Sequence, residues 1–240
     1  MNIKNIIILL ITTILFSCSN SVLKTQREAI KEQPIFIKDS KLHFSGEITE
    51  SSVNYAFNLI NNYSGKIHAM DVNSPGGDID PAMKFGIWMY DNNISLTIHD
   101  FCFSSCANYF LTAAKNVHIT KGAIIGWHGG ATQKSLLPKN PSISDKEFFD
   151  NEVKTEQKFF EHIGVQEKIT VLGQYNDDAI LKNTPNCVEA HIKGVLQGWT
   201  YTVDDLKTFG VENVTTENKI PPTMYNGRTM TCIIQVPKTI

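Results

Sequence analysis

The sequence predicts an α/β fold, with parallel strands covered by helices, and two observations carry that prediction. Strand-like and helix-like apolar patterns alternate repeatedly along the chain, the succession expected of parallel pairing with helices packed outside. The composition is that of a globular protein able to bury a core, with 42% hydrophobic and 19% charged residues and neither repeats nor low-complexity tracts. With 22 Lys+Arg against 24 Asp+Glu there is no basic run to neutralise a phosphate backbone, which argues against nucleic acid as a partner.

LHFSGEI (42–48) reads as a strand, and ESSVNYAFNLINNY (50–63) as a helix with apolar residues at 53, 56, 57, 59 and 60. KIHAMDV (66–72) is the next strand. After the turn NSPGG, residues 78–93 form a helix with Asp78 or Asp80 as its cap and Pro81 tolerated in the first turn. SLTIHDF (95–101) is a strand, SCANYFLTAAK (105–115) a helix, and AIIGWH (123–128) another strand. Residues 129–144 form a Gly/Pro/Ser loop of the length used for binding loops and lids. Residues 145–163 form a helix bearing Phe148, Phe149, Val153, Phe159 and Phe160, and DDAILKN (177–183) a shorter one. TVDDLKTFGVENVT (202–215) reads as a helix that stops at Gly210 and enters a strand, and TCIIQV (231–236) as a closing strand.

The first 17 residues combine Lys4 with an apolar stretch from Ile6 to Phe16. That stretch is too short for the roughly 20 residues that span a bilayer, so it reads as a signal peptide. Leu15-Phe16-Ser17-Cys18 resembles the lipobox of bacterial lipoproteins, which implies lipidation at Cys18, a polar tether over 18–40, and a membrane-anchored protein facing the periplasm. Export permits disulfides among Cys102, Cys106, Cys187 and Cys232, and the spacing leaves all three pairings open. A zinc site built on Cys102, Cys106 and His99 or His128 is the rival use of the first pair, but no second close Cys or His pair accompanies it, and the expectation is no metal and no cofactor.

Two places carry candidate chemistry. In Asn73-Ser74-Pro75-Gly76-Gly77-Asp78, a strand running into a Gly-Gly turn before a helix leaves backbone N–H groups unobstructed, as an oxyanion site requires. The other is Cys102-Phe103-Ser104-Ser105-Cys106, a serine-bearing strand-to-helix turn, with His128 at the end of the following strand as a proton acceptor. A Gly-Gly turn, a serine and a histidine on successive β/α units are the parts of a covalent acyl-transfer site.

The order GEI, helix, strand-NSPGGDI, helix, strand, Ser-containing helix start, AA and strand ending in His resembles the Clp protease proteolytic subunit and, more broadly, the ClpP/crotonase superfamily. The likeness covers about residues 41–130, is strongest to an exported bacterial branch with a C-x-S-x-C motif, and extends to TVDDLKTFGVENV. It implies a repeated β-β-α superhelix with helices outside the sheets, a domain over 41–215 and an extension over 216–240. It also implies Gly76 and Gly77 at the oxyanion hole, with a second donor from the N–H after the nucleophile, and His128 as general base. The nucleophile is Ser104 by the C-x-S-x-C spacing, Ser105 by counting back from His128, and Cys106 by counting from Ala113-Ala114. The acid of this family falls near Gly198-Trp199, where the chain has no carboxylate, and Asp177, Asp178, Asp204 and Asp205 are the other candidates. The expected activity is that of a serine peptidase acting on peptide or protein, and the alternative is a silent lipoprotein that binds peptide in the same groove. The superfamily also implies a homo-oligomer, with helix 145–163 as its surface.

Overall fold

The structure, a computed structural model, describes residues 35–133, 136–174, 185–218, 221–234 and 236. The signal peptide, Cys18, most of the tether, Asp177, Asp178 and the helix expected at 177–183 lie outside the described residues. Among the described residues, no helix is long and apolar enough to cross a membrane.

The architecture is α/β, with a seven-stranded, mostly parallel sheet at its centre. A hairpin of β1 (Phe36–Lys38) and β2 (Lys41–Ser45) opens it, followed by α1 (Glu50–Asn62), β3 (Ala69–Ser74), α2 (Ile79–Asp91) and β4 (Ser95–Phe103). A six-residue π-helix (Cys106–Leu111), β5 (Asn116–Ile119), β6 (Ile124–Gly126) and α3 (Ile143–Ile163) come next. After them are α4 (Lys168–Val171), α5 (Pro185–Ile192), β7 (Gly198–Thr200), α6 (Val203–Thr208) and β8 (Val214–Thr216). The sheet order is β1-β2-β3-β4-β5-β8, with β6 also on β4, and only the β1–β2 pair is antiparallel.

Alternation along the strands sorts their side chains. Leu42, Phe44, Met70, Val72, Leu96 and Ile98 are buried in the core, while Lys41, His43 and His99 gather around Asp71 on the other face. On the core side, Phe44 of β2 and Phe85 of α2 meet Phe110 of the π-helix, with ring centroids 5.5 and 5.1 Å from it. Tyr109 meets Phe159 of α3 edge-on at 5.3 Å. Phe159 and Phe160 are thus spent inside the chain, whereas Phe148 is exposed.

Several elements differ from expectation. The second strand starts at Ala69 rather than 66 and runs on to Ser74, so Asn73 and Ser74 of NSPGG belong to it. β5 was not expected: at four residues it is too short for its alternation to stand out from the turn after it. Asp78 holds the capping position of α2 without a side-chain cap bond, and its backbone N–H bridges across to the Ile48 carbonyl at 2.8 Å. The hairpin of β9 (Met224–Tyr225) and β10 (Arg228–Thr229) leads into β11 (Thr231–Ile233), which pairs in parallel with β7. Both cysteine pairs are disulfide-bonded, Cys102 with Cys106 and Cys187 with Cys232. The second bond ties α5 to β11.

Candidate active site

The candidate residues meet at the C-terminal edge of the parallel strands, where open α/β sheets keep their crevices. β4 is the shared neighbour. Its first half pairs with β5 and its second half with β6, while β3 runs along its other side. The Gly-Gly turn leaves β3, Ser104 leaves β4 and His128 follows β6, so three adjacent strand ends bring together residues distant in sequence.

Ser104 sits between β4 and the π-helix with φ +56°. A non-glycine residue in that region carries strain of about 1–2 kcal/mol, and a serine held this way on a sharp strand-to-helix turn projects its hydroxyl outward. Its N–H is fixed to the Gly126 carbonyl at 2.9 Å, which ties the turn to β6 two residues before His128. Its Oγ lies 2.6 Å from Nε2 of His128. Ser105, in contrast, is 2% exposed and donates its hydroxyl to the Gly77 carbonyl at 2.6 Å. Cys106 is buried and held by Cys102. Of the three nucleophile candidates, only Ser104 combines a partly exposed hydroxyl with a basic partner. The same disulfide occupies both cysteines proposed as zinc ligands, and among the described residues no His/Cys/Asp/Glu group has metal-binding geometry.

His128 keeps a solvent-facing edge, and its ring stacks on Phe103, with centroids 5.7 Å apart and planes 17° from parallel. Burial of the ring lowers its pKa, with its own main chain acting the other way. When the ring proton is on Nδ1, Nε2 accepts the Ser104 hydroxyl. A neutral imidazole in this tautomer is a general base at neutral pH.

The Gly-Gly turn is pressed against the serine turn. Gly76 has φ +91°, and a Cβ on it would lie 2.5 Å from the Phe103 carbonyl oxygen, 2.7 Å from Ser104 Cβ and 2.8 Å from Ser105 N. Gly77 has φ +150°, and a Cβ there would lie 2.0 Å from the Ile48 carbonyl oxygen. The Gly76 N–H bonds the Ser74 hydroxyl at 3.1 Å, whereas the Gly77 N–H has no acceptor among the described residues. The Ser105 N–H opens the π-helix, where the first N–H groups lack an intrahelical partner. Gly77 and Ser105 thus each carry a backbone N–H with no acceptor among the described residues. Gly76→Ala is expected to destabilise the protein by more than about 2 kcal/mol, because the intruded atoms are mostly backbone and the φ is unfavourable. Thermal unfolding checks this.

The third position of a triad is empty of acid. Trp127, just before His128, pairs with Trp199 through two backbone hydrogen bonds of 2.8 Å, so segment 198–199 does lie beside the histidine. A Cβ on Gly198 would sit 2.0 Å from the Trp127 carbonyl oxygen, so the strands approach too closely there for a carboxylate side chain. Asp205 caps α6 through Thr202, and Asp204 pairs with Lys207. No carboxylate among the described residues forms an ion pair with His128.

A groove of about 750 Å³ reaches this site through Gly77; Ser104 and His128 stand beside it rather than in its wall. Leu137, Phe148 and Phe149 supply apolar surface, and Asp80 and Glu152 face each other across it. Burial, and after it the Asp80 charge, raise the Glu152 pKa, and Lys84 brings one positive charge to the same lining. Two residues close to the site escaped the sequence reading. Asn108 donates to the Gly129 carbonyl at 2.8 Å, and Glu156 is fully buried under the segment after His128. A carboxylate on the helix face that also carries Phe159, Phe160 and Ile163 was the legible signal for the second. No model of a known protein family matches this chain, and no curated protein matches it in sequence.

Proposed function

We propose that the protein is a serine hydrolase of ClpP/crotonase type, a peptidase held to the bacterial membrane by lipid on Cys18 and facing the periplasm. The observation that carries this reading is the 2.6 Å contact between Ser104 Oγ and His128 Nε2 at a strained turn packed on Gly76-Gly77. In the proposed reaction, Ser104 Oγ attacks the scissile carbonyl while His128 Nε2 takes its proton. The tetrahedral oxyanion accepts hydrogen bonds from the N–H groups of Gly77 and Ser105. His128 then returns the proton to the leaving amine, and water, deprotonated by the same imidazole, hydrolyses the acyl-enzyme. The substrate enters as an extended strand beside the Gly-Gly turn. The apolar and acidic groove favours peptides that combine apolar with basic side chains.

The lack of a carboxylate paired with His128 among the described residues supports a second reading, a silent lipoprotein that binds peptide in this groove, alone or as a homo-oligomer. A fluorophosphonate separates the two. Its phosphorus bonds to Ser104 Oγ and releases fluoride as His128 takes the proton. The hydrolase reading expects an adduct on Ser104 and none on Ser105, lost in His128→Ala. One step in the fall of labelling on acidification lies below the ordinary imidazole range, because burial depresses the imidazole pKa and protonation removes the base. Absence of any adduct in folded protein selects the binding module.

A further inference from the structure

The reading of Ser104 and His128 leaves a buried ionisable cluster beside it unused. Glu156 of α3 is fully buried, and no cation pairs with it among the described residues. Its Oε1 accepts the Tyr109 hydroxyl at 2.6 Å and its Oε2 accepts the Ala131 N–H at 3.0 Å. Gly130 lies directly on the carboxylate: a Cβ there would be 2.4 Å from Oε1 and 2.8 Å from Oε2. Ala131 is three residues after His128, and Tyr109 is five after Ser104. One buried carboxylate thus joins the segment that follows the base to the helix that follows the nucleophile.

Asn108 adds a parallel strut. Its backbone N–H bonds the Ser104 carbonyl and its side-chain amide the Gly129 carbonyl, both at 2.8 Å. No acid among the described residues pairs with His128, so the imidazole is aimed by its stacking on Phe103 and by whatever fixes residues 129–131. We infer that Glu156 is a positioning residue for the proposed reaction: by holding Ala131 N–H and Tyr109 O–H together it sets the orientation of His128 toward Ser104, the work that a contacting acid does in a triad. The inference rests on the hydrolase reading of that pair.

The two bonds are charge-assisted while Glu156 is ionised and weaken when it takes up a proton. Burial pushes its pKa up to about 7. The Tyr109 and Ala131 hydrogen bonds lower it, and the charges of Glu167, at the start of α4, and of Glu152, one turn earlier on α3, raise it further. Thr170 of α4 also packs here, with its hydroxyl donated to the Glu167 carbonyl. Catalysis therefore gains a second ionisation above that of His128. Labelling rises first as His128 loses its proton and again as Glu156 does.

The test measures the rate of fluorophosphonate labelling of Ser104 in the full chain between about pH 5 and pH 9, together with the NMR titration of the His128 ring. Wild type, Glu156→Gln and Tyr109→Phe are compared, with circular dichroism as the control for folding. Wild type is expected to show both steps. Glu156→Gln keeps only the lower step and reaches a plateau about tenfold to a hundredfold lower, the scale of a misplaced reacting group. Tyr109→Phe moves the upper step to higher pH, because the lost donor had lowered the Glu156 pKa; it also serves where Glu156→Gln fails to fold. An upper step that survives in Glu156→Gln, or an unmoved upper step in Tyr109→Phe, overturns the inference. If wild type gives no adduct, the hydrolase reading fails, and the His128 titration decides separately: an inflection near pH 7 that Glu156→Gln removes retains Glu156 as the positioning group, and its absence rejects it.

Discussion

Replacing Ser104 by glycine is expected to abolish the adduct with fluorophosphonate and yet give a more stable protein than replacing it by alanine, by about 1 kcal/mol. Both substitutions remove the hydroxyl and its bond to His128, so the difference between them isolates the backbone. At an ordinary strand or helix position alanine is the better residue, since glycine loses more freedom on folding. At φ +56° the order reverses, because alanine retains the clash of Cβ with the main chain and glycine has none. Urea unfolding of the two variants measures the stability gap. Peptide hydrolysis should fall at least about a thousandfold in both, as expected when a nucleophile is removed from a unit that works together. Equal stabilities would mean that the turn carries no strain, and residual hydrolysis near the wild-type rate would remove Ser104 from the mechanism.

The two disulfides are expected to contribute unequally. Cys187–Cys232 spans 45 residues and Cys102–Cys106 only 4. Loop-closure entropy then predicts losses of about 4 kcal/mol for the Cys187→Ala/Cys232→Ala pair and about 2 kcal/mol for Cys102→Ala/Cys106→Ala. The larger loss is a sizeable share of the 5–15 kcal/mol typical of a whole domain, and it falls on β11, which pairs with β7 beside Trp127. All four cysteines are buried, at 2% exposure or less, so a reductant meets them only when the protein opens. Ser104 labelling in native protein is therefore expected to be indifferent to reductant. Labelling that depends on reductant would make the first disulfide a switch rather than a brace.

What the sequence made legible was whatever depends on local pattern. Helices over 50–62, 79–91 and 143–163 were readable because each exposes one face and buries the other. A helix over 105–115 was also readable, but its π form over Cys106–Leu111 was not, since all six of its side chains are buried and an apolar segment so short has no periodicity to distinguish the two. The site was legible as an inventory and not as a geometry. Ser104, Ser105 and Cys106 are adjacent in sequence, and what separates them is the left-handed backbone at Ser104, the acceptor at Gly77 and the bond to Cys102. None of these is a local signal. Glu156 was only half legible: its place on the face of Phe159, Phe160 and Ile163 was a signal, but most carboxylates on amphipathic helices face water, and the packing of residues 129–131 onto α3 is what buries this one.

The three strand ends beneath the site have a bearing on how such a protein changes over time. The floor is set by β3, β4 and β6, whose spacing is fixed by a hydrogen-bonded ladder near 4.8 Å per strand. The rim is set by residues 136–149, which supply Leu137, Phe148 and Phe149 to the groove and hold no partner of Ser104. Insertions or exchanges in that rim alter what is admitted while the distance between serine and histidine stays as it is. Floor and rim can diverge at different rates, so one scaffold can be retuned to new ligands by replacing a single surface segment.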